Sequence, residues 1–192
     1  MNRIDFDRFT SSVLTYKKAL TKIEFLTQSG YGLNAFLISV STINLSYEEA
    51  LSLLCFRMAC FFEEWDPELF QNKENLEFLY KVYFNPLFSP CDVEDFWRRY
   101  EILVDGINDS TKTINEKTKK CNDLYLGSEA IKFPEMQIDG SFQVNPTTLS
   151  SNDFIRYNDI VECFCNREVC LQTSYFIITE DKYFLLNENI RC

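Results

Sequence analysis

The stretch IVECFCNREVC, residues 160–170, places Cys163, Cys165 and Cys170 within eight residues of one another. The chain has no histidine, so thiols and carboxylates are the side chains left for metal binding or for nucleophilic and acid–base chemistry. If Asn166-Arg167 forms a two-residue turn, Cys165 faces Glu168 and Cys163 faces Cys170 across a hairpin. Alternation then gathers the three thiols and Glu168 on one face and pairs Phe164 with Val169 on the other. Cys192 is available as a fourth sulfur ligand. Structural zinc, however, uses C-x₂₋₄-C spacings that curl two thiolates onto one ion, whereas C-x-C along a strand splays its sulfurs apart. A Cys163–Cys170 disulfide fits this register but not a reducing compartment. Thiol catalysis needs a lowered pKa, commonly supplied by a neighbouring histidine. The expectation is therefore reduced, metal-free cysteines packed into the core of a sheet, with no cofactor.

Carboxylates are the other resource. FFEEWD sets Glu63, Glu64 and Asp66 around Trp65, and CDVEDFWRRY sets Asp92 and Asp95 one helical turn apart, followed by Arg98 and Arg99. Such pairs can hold Mg²⁺ or divide acid and base roles. They also have ordinary uses: acids in a first helical turn complement the helix dipole, and Asp95 with Arg99 is an i, i+4 ion pair. No phosphate-binding glycine loop, dinucleotide fingerprint or nucleophile elbow occurs. The lysines of KTINEKTKK are interrupted by Glu116 and lack interleaved aromatics, which describes a solvated face rather than a nucleic-acid site.

Charge narrows the partners. The net charge is −10, with five acids to one base over residues 31–66 and ten to five over 127–192. That balance opposes binding to phosphate backbones and speeds approach to a basic surface. The reading this supports is an acidic protein that neutralises another, basic protein such as a toxin domain, in the manner of an immunity protein or a phage- or plasmid-encoded inhibitor. Its contacts are assigned to Glu63, Glu64, Trp65 and Asp66, whose carboxylates are too costly to bury unpaired, and to Glu180 and Asp181 at a hairpin tip. The alternatives are a carboxylate-dependent enzyme, with or without Mg²⁺, and a structural or adaptor subunit. No apolar run reaches the eighteen residues a membrane span needs, and MNRIDFDRFTSS lacks the apolar core of a signal peptide. A cytoplasmic location is expected.

The elements that must position these residues read as an α+β chain. Five glycines and five prolines are few breaks for an all-β fold, which favours long helices. Apolar periodicity predicts helices near 4–28, 47–65, 67–84 and 90–107. The second is announced by the Ser46/Glu49 capping box and the third by Asp66-Pro67. YGLNAFLISVSTINLS fits either a helix or a buried strand. DGINDSTKTINEKTKK reads as a surface helix or a loop. Hairpins are predicted at Asp139-Gly140 and at Glu180-Asp181. The result is a helical N-terminal two-thirds, residues 1–126, packed with a small C-terminal antiparallel sheet of hairpins, residues 127–192, in one compact domain. Leu54, Met58, Phe61, Phe96, Trp97 and Tyr100 are expected in its core.

Overall fold

The computed structural model describes residues 4–16, 21–28, 33–62, 73–81, 88–112, 123–129, 149–167 and 172–190. At the N-terminal end the chain forms α1 (Phe6–Tyr16), β1 (Thr21–Gln28) and β2 (Leu33–Ser41). The helices α2 (Tyr47–Phe62) and α3 (Lys73–Leu79) follow, then the short β3 (Ser89–Pro90) and the long α4 (Val93–Lys112). The remaining strands are β4 (Asp123–Glu129), β5 (Ile160–Arg167), β6 (Gln172–Thr179) and β7 (Lys182–Ile190). All seven strands join one sheet in the order β3-β5-β6-β7-β2-β1-β4, and every pairing is antiparallel.

This sheet corrects the expected architecture. The chain is α+β, but its sheet is neither small nor confined to the C-terminal third, because β1 and β2 come from the first quarter of the sequence and β2 pairs with β7. The single helix predicted over 4–28 is a helix and then a strand. Asp5 caps α1 by accepting the Arg8 amide at 2.8 Å, and Phe9 and Val13 are buried as the periodicity requires. Ile23 extends that apolar spacing only by coincidence, since it lies in β1; Leu20 lies outside the described residues. Thr21 and Ile23 pair with Val40 and Ile38, a bulge at Glu24 brings Phe25 opposite Leu37, and pairing with β2 on one edge and β4 on the other settles these residues as a strand. The ambiguous stretch that follows is β2, buried on both faces from Ala35 to Val40.

A central strand with no polar face needs cover on both sides. α1, α2 and α3 supply one layer, over Phe36, Ile38, Phe176 and Leu185. α4 and the segment from Leu149 to Ile155 supply the other, over Phe25, Leu37, Ile177 and Phe184. The capping box forms as predicted: Ser46 N–H donates to Glu49 Oε2 at 2.8 Å and Glu49 N–H to Ser46 Oγ at 3.4 Å. α4 begins after Asp92, whose Oδ1 accepts the Glu94 and Asp95 amides, and it runs past residue 107 to Lys112. Leu54, Met58, Phe96 and Tyr100 are buried as expected, while Trp97 is half-buried against Tyr100 and Tyr157. The side chain of Phe61, the turn at Asp139-Gly140 and the start of the third predicted helix at Asp66-Pro67 lie outside the described residues.

One side chain fastens the α4 layer. Buried Asn108 accepts the Leu149 amide at 2.8 Å and donates to the Leu149 carbonyl at 2.9 Å. Asn108→Ala would strand both backbone groups, so a loss of about 2–3 kcal/mol in urea unfolding is expected. A loss below about 0.5 kcal/mol would mean that water replaces the amide there.

Candidate functional site

Two places combine exposure with chemistry. The first is a cleft of about 430 Å³ between the start of α4 and the β3-β5-β6 edge of the sheet. Asp92, Asp95 and Arg99 line one wall, and Cys91, Cys165 and Tyr175 line another. The sheet brings these groups together because β3 pairs with β5, with Ser89 opposite Cys165 and Pro90 opposite Phe164.

That register corrects the thiol hairpin. β5 does not turn at Asn166-Arg167. It continues through them, with Cys163 opposite Ile177, Phe164 opposite Phe176, Cys165 opposite Tyr175 and Arg167 opposite Thr173. Cys163 and Cys165 do share a face, as alternation requires, and both pack with the α4-side core. The ladder partners of Cys163 and Cys165 are thus Ile177 and Tyr175 in place of the expected Cys170 and Glu168, which, with Cys192, lie outside the described residues. The neighbour sequence reasoning missed is Cys91, whose thiol donates to Cys163 Sγ at 2.9 Å. This contact, together with burial, holds the Cys163 thiol well above its ordinary pKa, so while Cys91 is a thiol beside it Cys163 stays protonated at neutral pH. Among the described residues no group of three or more Cys, Asp or Glu side chains is placed to hold a metal ion.

The carboxylates of the cleft are engaged locally. Asp92 caps α4, and Asp95 pairs with Arg98 at 3.5 Å rather than with Arg99 as its spacing suggested. A second feature unmarked by any motif is Glu188 on β7, a half-buried carboxyl whose pKa is raised by desolvation and lowered in turn by the Arg99 charge. An acid so perturbed beside a cleft arginine can exchange protons closer to neutrality than an ordinary glutamate.

The second place is the end of the sheet where β6 turns into β7. Glu180 and Asp181 form the turn and are exposed, as predicted. Thr179 closes the turn: its Oγ1 accepts the Lys182 amide and donates to the Lys182 carbonyl. The β2–α2 loop is tied to it, because Thr42 donates its amide to the Asp181 carbonyl and its hydroxyl to the Glu180 carbonyl, both at 3.0 Å. Asn44 takes the left-handed backbone conformation, φ 64°, that lets this loop bend back. The apex is Ile43, 75% exposed, and Tyr47, 39% exposed, stands at the start of α2. Partial burial raises the Tyr47 phenol pKa, and so do the nearby Glu48 and Glu162 carboxylates. Glu48 is ion-paired with Arg8. The tip thus presents Ile43 on a loop hydrogen-bonded to the exposed Glu180-Asp181 turn, with Tyr47 at the start of α2 under the influence of the Glu48 and Glu162 carboxylates.

Glu63, Glu64, Trp65 and Asp66, the other predicted contact group, lie outside the described residues. No described helix is long and apolar enough to cross a membrane. No protein-family model, curated protein or solved structure matches this chain.

Proposed function

We propose that this protein acts in the cytoplasm by binding a basic protein and neutralising it, as an immunity protein or a phage- or plasmid-encoded inhibitor does. The observation that carries this reading is the tip itself: exposed Ile43 follows Thr42, which is hydrogen-bonded to the exposed Glu180-Asp181 turn, and exposed Tyr47 feels the Glu162 carboxylate from β5. Apolar anchors within a charged rim are what protein interfaces use, and a pre-ordered loop loses little entropy on docking. The acids steer a basic partner, while Ile43 and Tyr47 supply the desolvated contact that holds it. Glu63, Glu64, Trp65 and Asp66 are retained as a second acidic contact group on the strength of their sequence alone.

The test is a pair of variants read against whatever basic protein the native chain captures. Replacing Glu162, Glu180 and Asp181 by Gln, Gln and Asn should lower the association rate roughly tenfold at low salt and flatten its salt dependence, with dissociation little changed. Ile43→Asp should act instead on the dissociation rate. Both variants should keep the native circular dichroism spectrum. If both bind with native kinetics the tip is not the contact surface, and the same neutralising changes at Glu63, Glu64 and Asp66 become the deciding experiment.

A carboxylate-dependent enzyme is the second reading, favoured by one observation, the raised Glu188 pKa beside Arg99. It requires several acids converging on one point, whereas Asp92 is consumed as a helix cap and Asp95 by Arg98.

A further inference from the structure

The cleft wall contains two sulfurs in a relation that neither burial nor capping explains. Extending the β3–β5 ladder by one rung places Cys91 opposite Cys163, and the Cys91 amide donates to the Cys163 carbonyl at 3.0 Å. The pair is therefore set by backbone register and not by a chance meeting of side chains. Their sulfurs lie 2.9 Å apart, inside ordinary van der Waals contact, and both residues carry thiols. The partners differ in access: Cys91 is partly exposed and lines the cleft, whereas Cys163 is only 4% exposed. Cys165, the next residue on the same strand face, lines the cleft as well.

We propose that Cys91 and Cys163 form an oxidisable dithiol that reacts, through the cleft, with a small-molecule disulfide of the glutathione type to give an intramolecular disulfide. The Cys91 thiol first loses its proton to solvent, and its sulfur attacks one sulfur of the reagent. The reagent's S–S bond breaks, and one reagent thiolate leaves and is protonated. Once Cys91 is in the mixed disulfide its thiol no longer helps to hold Cys163 protonated; Cys163 gives up its proton to solvent and attacks the adjoining Cys91 sulfur, expelling the second reagent thiolate, which is protonated. Two protein thiols are oxidised and one reagent disulfide is reduced to two thiols. The order follows from access, because the exposed sulfur meets the reagent and the buried one already lies beside it. The product would fasten the entry of α4 to β5, the strand that carries Cys165 into the cleft.

The whole chain, with all eight cysteines present, should be incubated with oxidised glutathione over a series of glutathione ratios and read by intact mass and peptide mapping. The expected product has lost two hydrogens, carries no glutathione, and maps to a Cys91–Cys163 cross-link that dithiothreitol reverses. Cys165→Ser should give the same cross-link, while Cys163→Ser should accumulate one glutathione on Cys91. A stable glutathione adduct on the native chain, a cross-link between any other pair, or no reaction in excess oxidised glutathione would each overturn the proposal. Should Cys163→Ser fail to fold, the maps from the native chain and from Cys165→Ser decide it.

Discussion

Phe176→Ala is expected to cost about 3–5 kcal/mol of folding stability, enough to unfold a large share of the molecules at physiological temperature. Phe176 sits in the middle of β6 between β5 and β7 and is 0% exposed. Its ring stacks on Tyr183, with centroids 5.8 Å apart and planes within 11°, and approaches Phe164 from β5 at 6.5 Å. Truncation removes the ring's own burial and opens a cavity under the α1–α2–α3 layer that rigid strands on both sides cannot close. Phe176→Leu keeps most of that volume and should cost less than about 2 kcal/mol. Urea unfolding at unchanged denaturant slope would check both values. A cost below about 1 kcal/mol for the alanine variant would show that this layer does not stabilise the sheet.

The second large effect lies at Glu24. β1 bulges between Ile23 and Phe25, and the extra residue turns its carboxylate inward, where it is 2% exposed. There it accepts Ser39 Oγ at 2.7 Å and meets Lys22 Nζ at 2.8 Å and Lys182 Nζ at 3.3 Å. Desolvation pushes its pKa up, but the hydrogen bonds from Lys22 and Ser39 and the charges of Lys182 and Lys22 outweigh it, so the folded value lies below the ordinary 4.5. A depressed acid stabilises the fold above its unfolded pKa. That contribution should disappear as pH falls below 4.5 through the folded value. Lys22→Met combined with Lys182→Met leaves the carboxylate buried with Ser39 alone. At neutral pH the double variant should lose about 3 kcal/mol, the lower end for a broken buried pair because both lysines reach water. The slope should also reverse: Glu24 now prefers its proton, and mild acid should restore part of the loss. Unfolding free energies measured between pH 7 and pH 4 would test the sign, and parallel pH profiles for the two proteins would refute the account.

What could be read in advance was whatever the chain states locally. Ser46 and Glu49 announce α2 within four residues, Asp92 announces α4, and Glu180-Asp181 turns the β6–β7 hairpin where its flanking runs predict. What could not be read was pairing. Ile23 continues the stripe of α1 because a short apolar strand can satisfy helical spacing by accident. The hairpin around Cys163 looked closed at Asn166-Arg167, yet alternation is preserved wherever a strand turns. Only packing chooses the partner, and it chose Phe176 for Phe164 and Tyr175 for Cys165. The cleft was legible in part, since Asp92, Asp95 and Arg99 were marked by their spacing. Cys91 reaches Cys163 from 72 residues away, and the Arg99 charge acts on Glu188 from another element, so neither relation has a local signature.

The order of the sheet also governs how the molecule comes into being. β2 pairs with β1, its neighbour in sequence, on one edge and with β7 on the other, Val40 meeting Tyr183 and Leu33 meeting Ile190. During synthesis the first partner is available almost at once, but the second is not made for on the order of ten seconds. Throughout that interval Phe36, Leu37 and Ile38 form an apolar strand with one side of its backbone unpaired, a template for any other nascent chain. Folding should therefore be slow, with yields that fall as expression rate or temperature rises, because the β2–β7 ladder cannot close until β7 has been translated.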